Sequence, residues 1–140
     1  MKLILSLGSN LGNKEQNLNR AIEQIEQKIG SVVKVSSFLH SEPFGFTSDN
    51  SFVNAVVEVN TKLGIYRVLK ITQKIEQLMG RQQKSHDGIH YDRIIDIDIL
   101  YYASYKTNTR KLTVPHPRIN EREFVLKPLS ELYNKTTHCQ

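Results

Sequence analysis

Residues 52–59 read FVNAVVEV, and this stretch decides how the rest of the chain folds. Every second position is apolar, which is the two-residue period of a β-strand. One face of this strand is entirely apolar and consists of Val53, Ala55, Val57 and Val59. The other face is mixed and consists of Phe52, Asn54, Val56 and Glu58. The stretch therefore predicts a strand with one face on the core and a second, mixed face.

The segments on either side of this strand complete a β-α-β-β-α-β order. Strands are predicted at 2–7, 32–39, 52–59 and 94–102. Helices are predicted from the candidate N-cap Asn13 to Gly30 and from Ile65 to Gly80. Loops are predicted at 41–50 and 80–93, a short strand at 111–114 and a partly helical tail at 119–132. The order predicts a single α+β domain, 1–140, with a ferredoxin-like fold: an antiparallel sheet and two helices packed on it.

Composition excludes several classes of protein. The chain has 140 residues, of which 39% are hydrophobic and 24% are charged, and this excludes a disordered or fibrous protein. A single cysteine, Cys139, excludes a disulfide framework and a cysteine-based zinc site. No apolar run approaches the roughly 20 residues that span a bilayer, and the start of the chain does not resemble a signal peptide. We therefore expect a cytoplasmic protein.

The net charge of +5 lies in the second half of the chain. Residues 1–60 contain five Lys and Arg against six Asp and Glu, whereas residues 61–140 contain fourteen against eight. A basic second half favours an anionic partner such as the phosphates of a nucleotide, although a solvated surface would have the same charge.

The stretch RIIDIDIL at 93–100 contains the clearest chemical signal. The two-residue period places Asp96 and Asp98 on one face, about 7 Å apart at their Cα atoms, and isoleucines on the other. Two carboxylates this close repel each other, and a divalent cation removes the repulsion. Mg²⁺ typically takes one or two carboxylates together with phosphate oxygens. The alternative is an edge strand whose aspartates face water, but the apolar flanks predict a central strand.

Basic residues accompany this acidic pair. Arginine binds phosphate through two parallel hydrogen bonds, and acidic metal ligands among Arg and Lys suit a metal–polyphosphate complex such as MgATP. The chain contains no phosphate-binding loop of the form G-x-x-x-x-G-K-[ST], and no nucleophile–base pair can be argued. Unrelated surface charges are the alternative. The basic residues are Arg81, Lys84, Arg93, Arg110, Lys111, Arg118 and Arg122.

Seven stretches, taken in order and with their spacing, point to a family. They are LSLGSNLGN at 5–13, VSSFLHSEPFG at 35–45, FVNAVVEV at 52–59, IEQLMGR at 75–81, RIIDIDIL at 93–100, LTVPHPR at 112–118 and REFVLKPL at 122–129. Over nearly its whole length the chain resembles the 6-hydroxymethyl-7,8-dihydropterin pyrophosphokinases of folate biosynthesis, whose fold is ferredoxin-like. The resemblance implies that the pterin hydroxymethyl oxygen attacks the β-phosphorus of ATP, that a diphosphate group is transferred and that AMP leaves.

The resemblance also implies roles for individual residues. It implies two Mg²⁺ ions on Asp96 and Asp98, and catalytic roles for these two residues together with Arg81 and Arg93. On the nucleotide side it implies Gln73, Glu76, Lys84, Arg93, Ile99, Lys111, Thr113, His116 and Arg122. In the pterin pocket it implies Ser41, Glu42, Phe44, Phe52, Asn54 and Phe124. Two aromatic rings would sandwich the flat pterin there, and Asn54 would bind its polar edge.

The chain departs from the pattern of this family in the predicted loops. Gln83 stands where the family often has a second arginine, and Glu42 stands where proline is common. His90, Tyr91 and Asp92 replace an aromatic residue, a small residue and proline. These differences concern nucleotide affinity and loop closure, whereas the metal and pterin positions match.

Two other functions fit the same topology. An RNA-binding module would stack bases on exposed aromatic residues of its strands, whereas this chain presents aspartates, which repel phosphate in the absence of a metal. A small-molecule regulatory domain would oligomerise through its sheet. The sequence favours an enzyme that acts as a monomer on small-molecule substrates, with neither nucleic acid nor a membrane as partner.

Overall fold

The computed structural model describes residues 1–41, 52–80, 94–103, 107–108 and 112–114. Within these ranges the strands are β1 (Lys2–Ser9), β2 (Gly30–Val35), β3 (Leu39–Ser41), β4 (Phe52–Thr61), β5 (Asp96–Tyr102), β6 (Thr107–Asn108) and β7 (Thr113–Val114). The helices are α1 (Lys14–Lys28) and α2 (Ile65–Leu78). The predicted β-α-β-β-α-β order is confirmed. Most of the two predicted loops and the predicted C-terminal tail lie outside the described residues.

The main sheet is antiparallel and has the strand order β2-β4-β1-β5. The short strand β3 pairs with the end of β4 that β2 leaves unoccupied. Both helices lie on one face of the sheet, where they bury the alternating residues Leu3, Leu5 and Leu7 of β1. The alternating residues of β4 predicted to face the core, Val53 to Val59, belong to the same hydrophobic cluster. The α+β, ferredoxin-like prediction is therefore correct.

In the described part of the chain the inner strands of the sheet are β4 and β1, and the aspartate strand β5 lies at the end of the order, so the predicted central position is not found there. The partner of β5 in the main sheet is β1. Ile97 and Ile99, which the two-residue period placed opposite the aspartates, both face the helices. Leu100, which extends the apolar run, lies where the register between β1 and β5 shifts, and it is buried outside the helix-side cluster.

The second predicted strand, 32–39, is interrupted at Ser36. The backbone N–H of Ser36 donates to the carbonyl of Val56, and the Ser36 hydroxyl oxygen accepts from the N–H of Val56, both at 2.9 Å. The Ser36 hydroxyl thus takes the place of a backbone carbonyl as the acceptor for Val56. As a result, β2 and β3 pair with separate parts of β4. The prediction of a single continuous strand is wrong for this reason.

Helix α1 begins and ends close to the predicted positions. The side chain of Asn13 accepts a hydrogen bond from the N–H of Gln16 at 3.2 Å, which confirms Asn13 as the N-cap. Gly30 follows the helix and is the first residue of β2. Glycine is required here because the backbone of β4 lies very close: a Cβ atom at this position would lie 2.2 Å from the carbonyl oxygen of Asn60.

Helix α2 ends at a glycine, as predicted. Gly80 has φ of +110°, a conformation that residues with a side chain rarely adopt. The other end of this helix is tied to β5, because the hydroxyl of Tyr102 donates to the carbonyl of Leu63 at 2.6 Å. In the described part of the chain, no helix is long and apolar enough to cross a membrane.

Replacing Gly30 with alanine is expected to destabilise the fold. The added methyl group meets the backbone of Asn60 and Thr61, which cannot rotate away, so β2 has to shift from β4. Overpacking of this kind costs about 1–3 kcal/mol, or roughly 3–10 °C of melting temperature. The matched control is Gly64→Ala, where a Cβ atom meets nothing within 4 Å. Equal melting temperatures for the two variants would contradict the close approach at Gly30.

Candidate active site

Asp96 and Asp98 lie side by side on the sheet face opposite the helices. Their neighbours Ile95, Ile97 and Ile99 belong to the helix-side core, so alternation turns both aspartates to the other face. Both aspartates are half-buried. The sequence-based prediction of two carboxylates on one face is therefore confirmed.

Asn54 lies on the same face, directly across β1 from Asp96. Gly8 of β1 pairs with Asn54 on one side and with Asp96 on the other. Adjacent strands are about 4.8 Å apart, so the backbones at Asn54 and Asp96 are separated by about 10 Å. Asn54 is 3% exposed, whereas Phe52, two residues earlier on the same face, is half-buried. The structure thus places a predicted pterin-binding amide beside a predicted metal ligand.

Gly8 lies inside a strand, and the prediction that β1 ends before it is wrong. Pairing continues through Ser9, so Gly8 belongs to the site face. A Cβ atom at Gly8 would stand 2.9 Å from Oδ1 of Asn54 and 3.6 Å from Cδ1 of Phe52. A glycine within a strand signals close approach of another group, and at Gly8 that group is the side chain of Asn54.

The turn that follows β1 is anchored by a buried side chain of α1. Nδ2 of Asn17 donates to the hydroxyl oxygen of Ser9 at 3.2 Å and to the carbonyl oxygen of Leu11 at 2.8 Å. Ser9 is fully buried, and Asn17 is 8% exposed. These hydrogen bonds fix the end of the strand that contains Gly8.

Glu76 holds β5 from its outer edge. Oε2 of Glu76 accepts a hydrogen bond at 2.8 Å from the backbone N–H of Ile97, the residue between the two aspartates. Glu76 is only 3% exposed, and a buried carboxylate requires such donors. The resemblance assigned Glu76 to the nucleotide side. Its contact with the backbone of the aspartate strand could not have been inferred from the sequence. Gln73 is half-buried and one turn earlier in α2, so it lies on the same helix face as Glu76.

The predicted nucleotide residue Ile99 has its side chain in the core, where it is 4% exposed. Only its backbone can therefore meet a ligand. The N–H of Ile97 points away from β1 toward Glu76, and backbone groups two residues apart in a strand point the same way. The N–H and C=O of Ile99 consequently face the outer edge of β5.

Two further predicted site residues are described by their backbone alone. Ser41 pairs with Phe52 at the end of β3, and Thr113 lies in β7, which is close to β5. The remaining predicted residues lie outside the described ranges and stay predictions: Arg81, Lys84, Arg93, Lys111, His116, Arg122, Glu42, Phe44 and Phe124.

The acidic pair has the donor chemistry of a magnesium site. Two half-buried carboxylates on one face provide hard oxygen ligands, and Mg²⁺ in proteins commonly takes one or two of them. Among the described residues no group of three or more His, Cys, Asp or Glu side chains could hold a metal ion. Here the described side chains provide two carboxylates, which suits an ion that also takes oxygens from a phosphate ligand or water.

The fold and the site define an α+β protein with a ferredoxin-like core, in which the sheet face opposite the helices combines a carboxylate pair with a buried amide. The sequence profile of 7,8-dihydro-6-hydroxymethylpterin-pyrophosphokinase (HPPK) matches residues 4–134. The chain belongs to this family, as the motifs predicted.

Relatives of known name agree with the family. A 2-amino-4-hydroxy-6-hydroxymethyldihydropteridine pyrophosphokinase of Porphyromonas gingivalis is 44% identical over 129 residues, which cover 91% of this chain and 88% of the relative. The protein of the same name from Bacillus subtilis is 39% identical, with 91% and 75% covered. A folate synthesis bifunctional protein of Arabidopsis thaliana is 38% identical over 94% of this chain, but only 27% of that longer protein is covered.

Solved structures show the same fold in longer proteins. An HPPK-DHPS chain in complex with substrates matches 94% of this chain with a TM-score of 0.73 at 16% identity. The wild-type HPPK-DHPS of Plasmodium falciparum with pteroate matches 93% with a TM-score of 0.71 at 15% identity. This chain spans about two fifths of the length of those chains, 40% and 38% respectively. At this identity the likeness establishes the fold.

Removing the carboxylate of Glu76 is expected to loosen the aspartate strand. Glu76→Ala leaves the buried N–H of Ile97 without this acceptor, which costs about 1–3 kcal/mol of unfolding free energy. Glu76→Gln retains an acceptor oxygen and should lose less than half as much in chemical denaturation. The control is Gln77→Ala, an exposed position of the same helix. A loss in the glutamine variant equal to that in the alanine variant would contradict the hydrogen bond as the cause.

Proposed function

We propose that this chain transfers a diphosphate group from ATP to the hydroxymethyl oxygen of 6-hydroxymethyl-7,8-dihydropterin and releases AMP. The observation that carries the proposal is the placement of Asn54 and Asp96 on either side of Gly8. An amide suited to a polar heterocycle and a carboxylate suited to a metal–phosphate complex lie about 10 Å apart on one face. The two substrates can therefore meet on this face.

The proposed chemistry requires positioning and charge neutralisation rather than a protein nucleophile. The pterin hydroxyl oxygen forms a bond to the β-phosphorus and loses its proton to water, the bond from that phosphorus to the oxygen bridging it to the α-phosphorus breaks, and AMP departs with that oxygen. When bound, Mg²⁺ neutralises charge on the phosphates. Asp96 and Asp98 would hold two such ions. The positive charges of Arg81 and Arg93 would stabilise the charge that develops on the phosphates.

The edge of β5 is the proposed nucleotide side. The outward N–H and C=O of Ile99 offer one donor and one acceptor, which suits the edge of a base, and Gln73 lies on the face of α2 that borders this edge. Lys84, Lys111, Thr113, His116 and Arg122 complete the nucleotide site in the proposal. Glu76 supports this side by holding the backbone at Ile97.

The surface at β3 and β4 is the proposed pterin side. Phe52 and Asn54 share a face of β4, and Ser41 pairs with Phe52. Asn54 has a carbonyl oxygen and an NH₂ group, and these complement the alternating donors and acceptors on a pterin edge. Phe44 and Phe124 would supply the aromatic rings, with Glu42 beside them. In the proposal the chain acts as a single-domain monomer in the cytoplasm, without nucleic acid or membrane.

One assay tests the proposed function directly. The protein is mixed with MgATP and reduced hydroxymethylpterin, and the nucleotide products are separated. AMP and the pterin diphosphate are expected in equal amounts. Formation of ADP, or no reaction, would contradict the proposal.

Asp98→Asn is expected to abolish AMP formation while the ligand-free protein keeps its fold. The amide retains the size of the side chain but removes the charge that binds Mg²⁺, and it relieves repulsion from Asp96. The melting temperature of the free protein should stay within about 3 °C, because one kcal/mol corresponds to roughly 3 °C at this size.

The control for Asp98→Asn is Glu58→Gln, which also removes a half-buried carboxylate from this sheet face, near Lys2 and away from the site. It should leave AMP formation unchanged. A large drop in the melting temperature of the free protein together with retained AMP formation in Asp98→Asn would refute the metal site.

Chelation of Mg²⁺ distinguishes the proposed enzyme from the alternative, an RNA-binding module. Nucleotide affinity should fall sharply on addition of EDTA and return with excess Mg²⁺, because the ion links the carboxylates to the phosphates. Isothermal titration with a non-hydrolysable ATP analogue measures this. RNA binding that persists in EDTA would favour the other module.

A further inference from the structure

We propose that Gly8 is a specificity-determining position whose missing side chain allows Asn54 and Phe52 to form the floor of the pterin pocket. The inference rests on the proposed function, because it concerns the pterin side of that same site. Among the described glycines, Gly8 is the one at which an added Cβ atom would meet two predicted pterin-binding side chains, Asn54 and Phe52.

The geometry at Gly8 is direct. A Cβ atom there would lie 2.9 Å from Oδ1 of Asn54, closer than real Cβ contacts, and 3.6 Å from Cδ1 of Phe52, an ordinary contact distance. The side chain of Asn54 therefore occupies the space beside Gly8 that a side chain at this position of β1 would fill. Since Asn54 is 3% exposed, the position of its amide is set by what surrounds it, and Gly8 forms one side of those surroundings.

The response to an added methyl group follows from which atom it meets. At Gly8 that atom is the end of the Asn54 side chain, which, unlike a backbone atom, can turn away by rotation about its own side-chain bonds. Rotation moves the amide that binds the ligand, so binding is lost more than stability. At Gly30 the atoms met are backbone atoms of Asn60 and Thr61, and there stability is lost while the site, at the other end of β4, is untouched.

The strand pairing limits the effect to one substrate. Gly8 also pairs with Asp96, but the three atoms nearest to an added Cβ belong to Asn54 and Phe52, and none belongs to Asp96. The carboxylates of Asp96 and Asp98 are therefore expected to keep their affinity for MgATP.

The first experiment compares two glycine variants, Gly8→Ala and Gly30→Ala. Wild-type protein is assayed first, and failure to form AMP would refute the proposed function itself. Given activity, Gly8→Ala should raise KM for the pterin by about tenfold or more, the loss expected for one displaced hydrogen-bonding group, and leave Kd for a non-hydrolysable MgATP analogue within about twofold. Gly30→Ala should lower the melting temperature and leave KM for the pterin unchanged. Equal KM values in Gly8→Ala and wild type would overturn the inference.

A double-mutant cycle tests whether Gly8 acts through Asn54. Asn54→Ala removes the atom that the new methyl group meets, so Gly8→Ala should add less than about twofold to KM in that background. Two fully multiplicative effects would show that Gly8 acts in another way and would overturn the inference. A merely structural role would change the melting temperature and not this coupling.

Discussion

The position of β1 between β4 and β5 is the constraint on which the rest of the molecule depends. A slip of one residue in either pairing would exchange the two faces of a strand. It would turn the leucines of β1 away from the helices or turn Asp96 into the helix-side core. Burial of Leu5 and Leu7 against Ile97 and Ile99 therefore also places Asp96 across Gly8 from Asn54. Core packing and site geometry are consequences of the same register.

Helix α2 supports this arrangement through the buried carboxylate of Glu76, which accepts a hydrogen bond from β5. The Glu76 carboxylate is removed from water, which is unfavourable for a charged group. In return it occupies the outer edge of β5 and accepts from the N–H of Ile97, so the strand is fixed on both of its edges near the aspartates. This contact does not use the N–H and C=O of Ile99, which lie two residues further along the same edge and face the nucleotide in the proposed function.

Structural features that depend on neighbouring residues, such as the alternation of a strand or a helix cap, could be predicted from the sequence. Contacts between segments that are distant in the sequence could not. The alternation in 52–59 and 93–100 places Asn54 and Asp96 on the correct faces, and the cap at Asn13 follows from adjacent residues. The edge position of β5, the Glu76 contact and the role of Gly8 depend on which strands meet, and periodicity does not contain this information. The order of the motifs identified the family. The resemblance placed Glu76 on the nucleotide side, but it did not reveal that Glu76 accepts a hydrogen bond from Ile97.

The bare backbone at Gly8 also bears on how such a pocket could evolve under an inhibitor. A compound that contacts a side chain can be evaded by replacing that residue, whereas a compound lying against the backbone of β1 contacts atoms shared by every amino acid. The smallest replacement available at Gly8 already collides with Asn54. If Asn54 binds the pterin as proposed, a replacement at Gly8 also impairs recognition of the natural ligand, and resistance has to arise at other residues of the pocket.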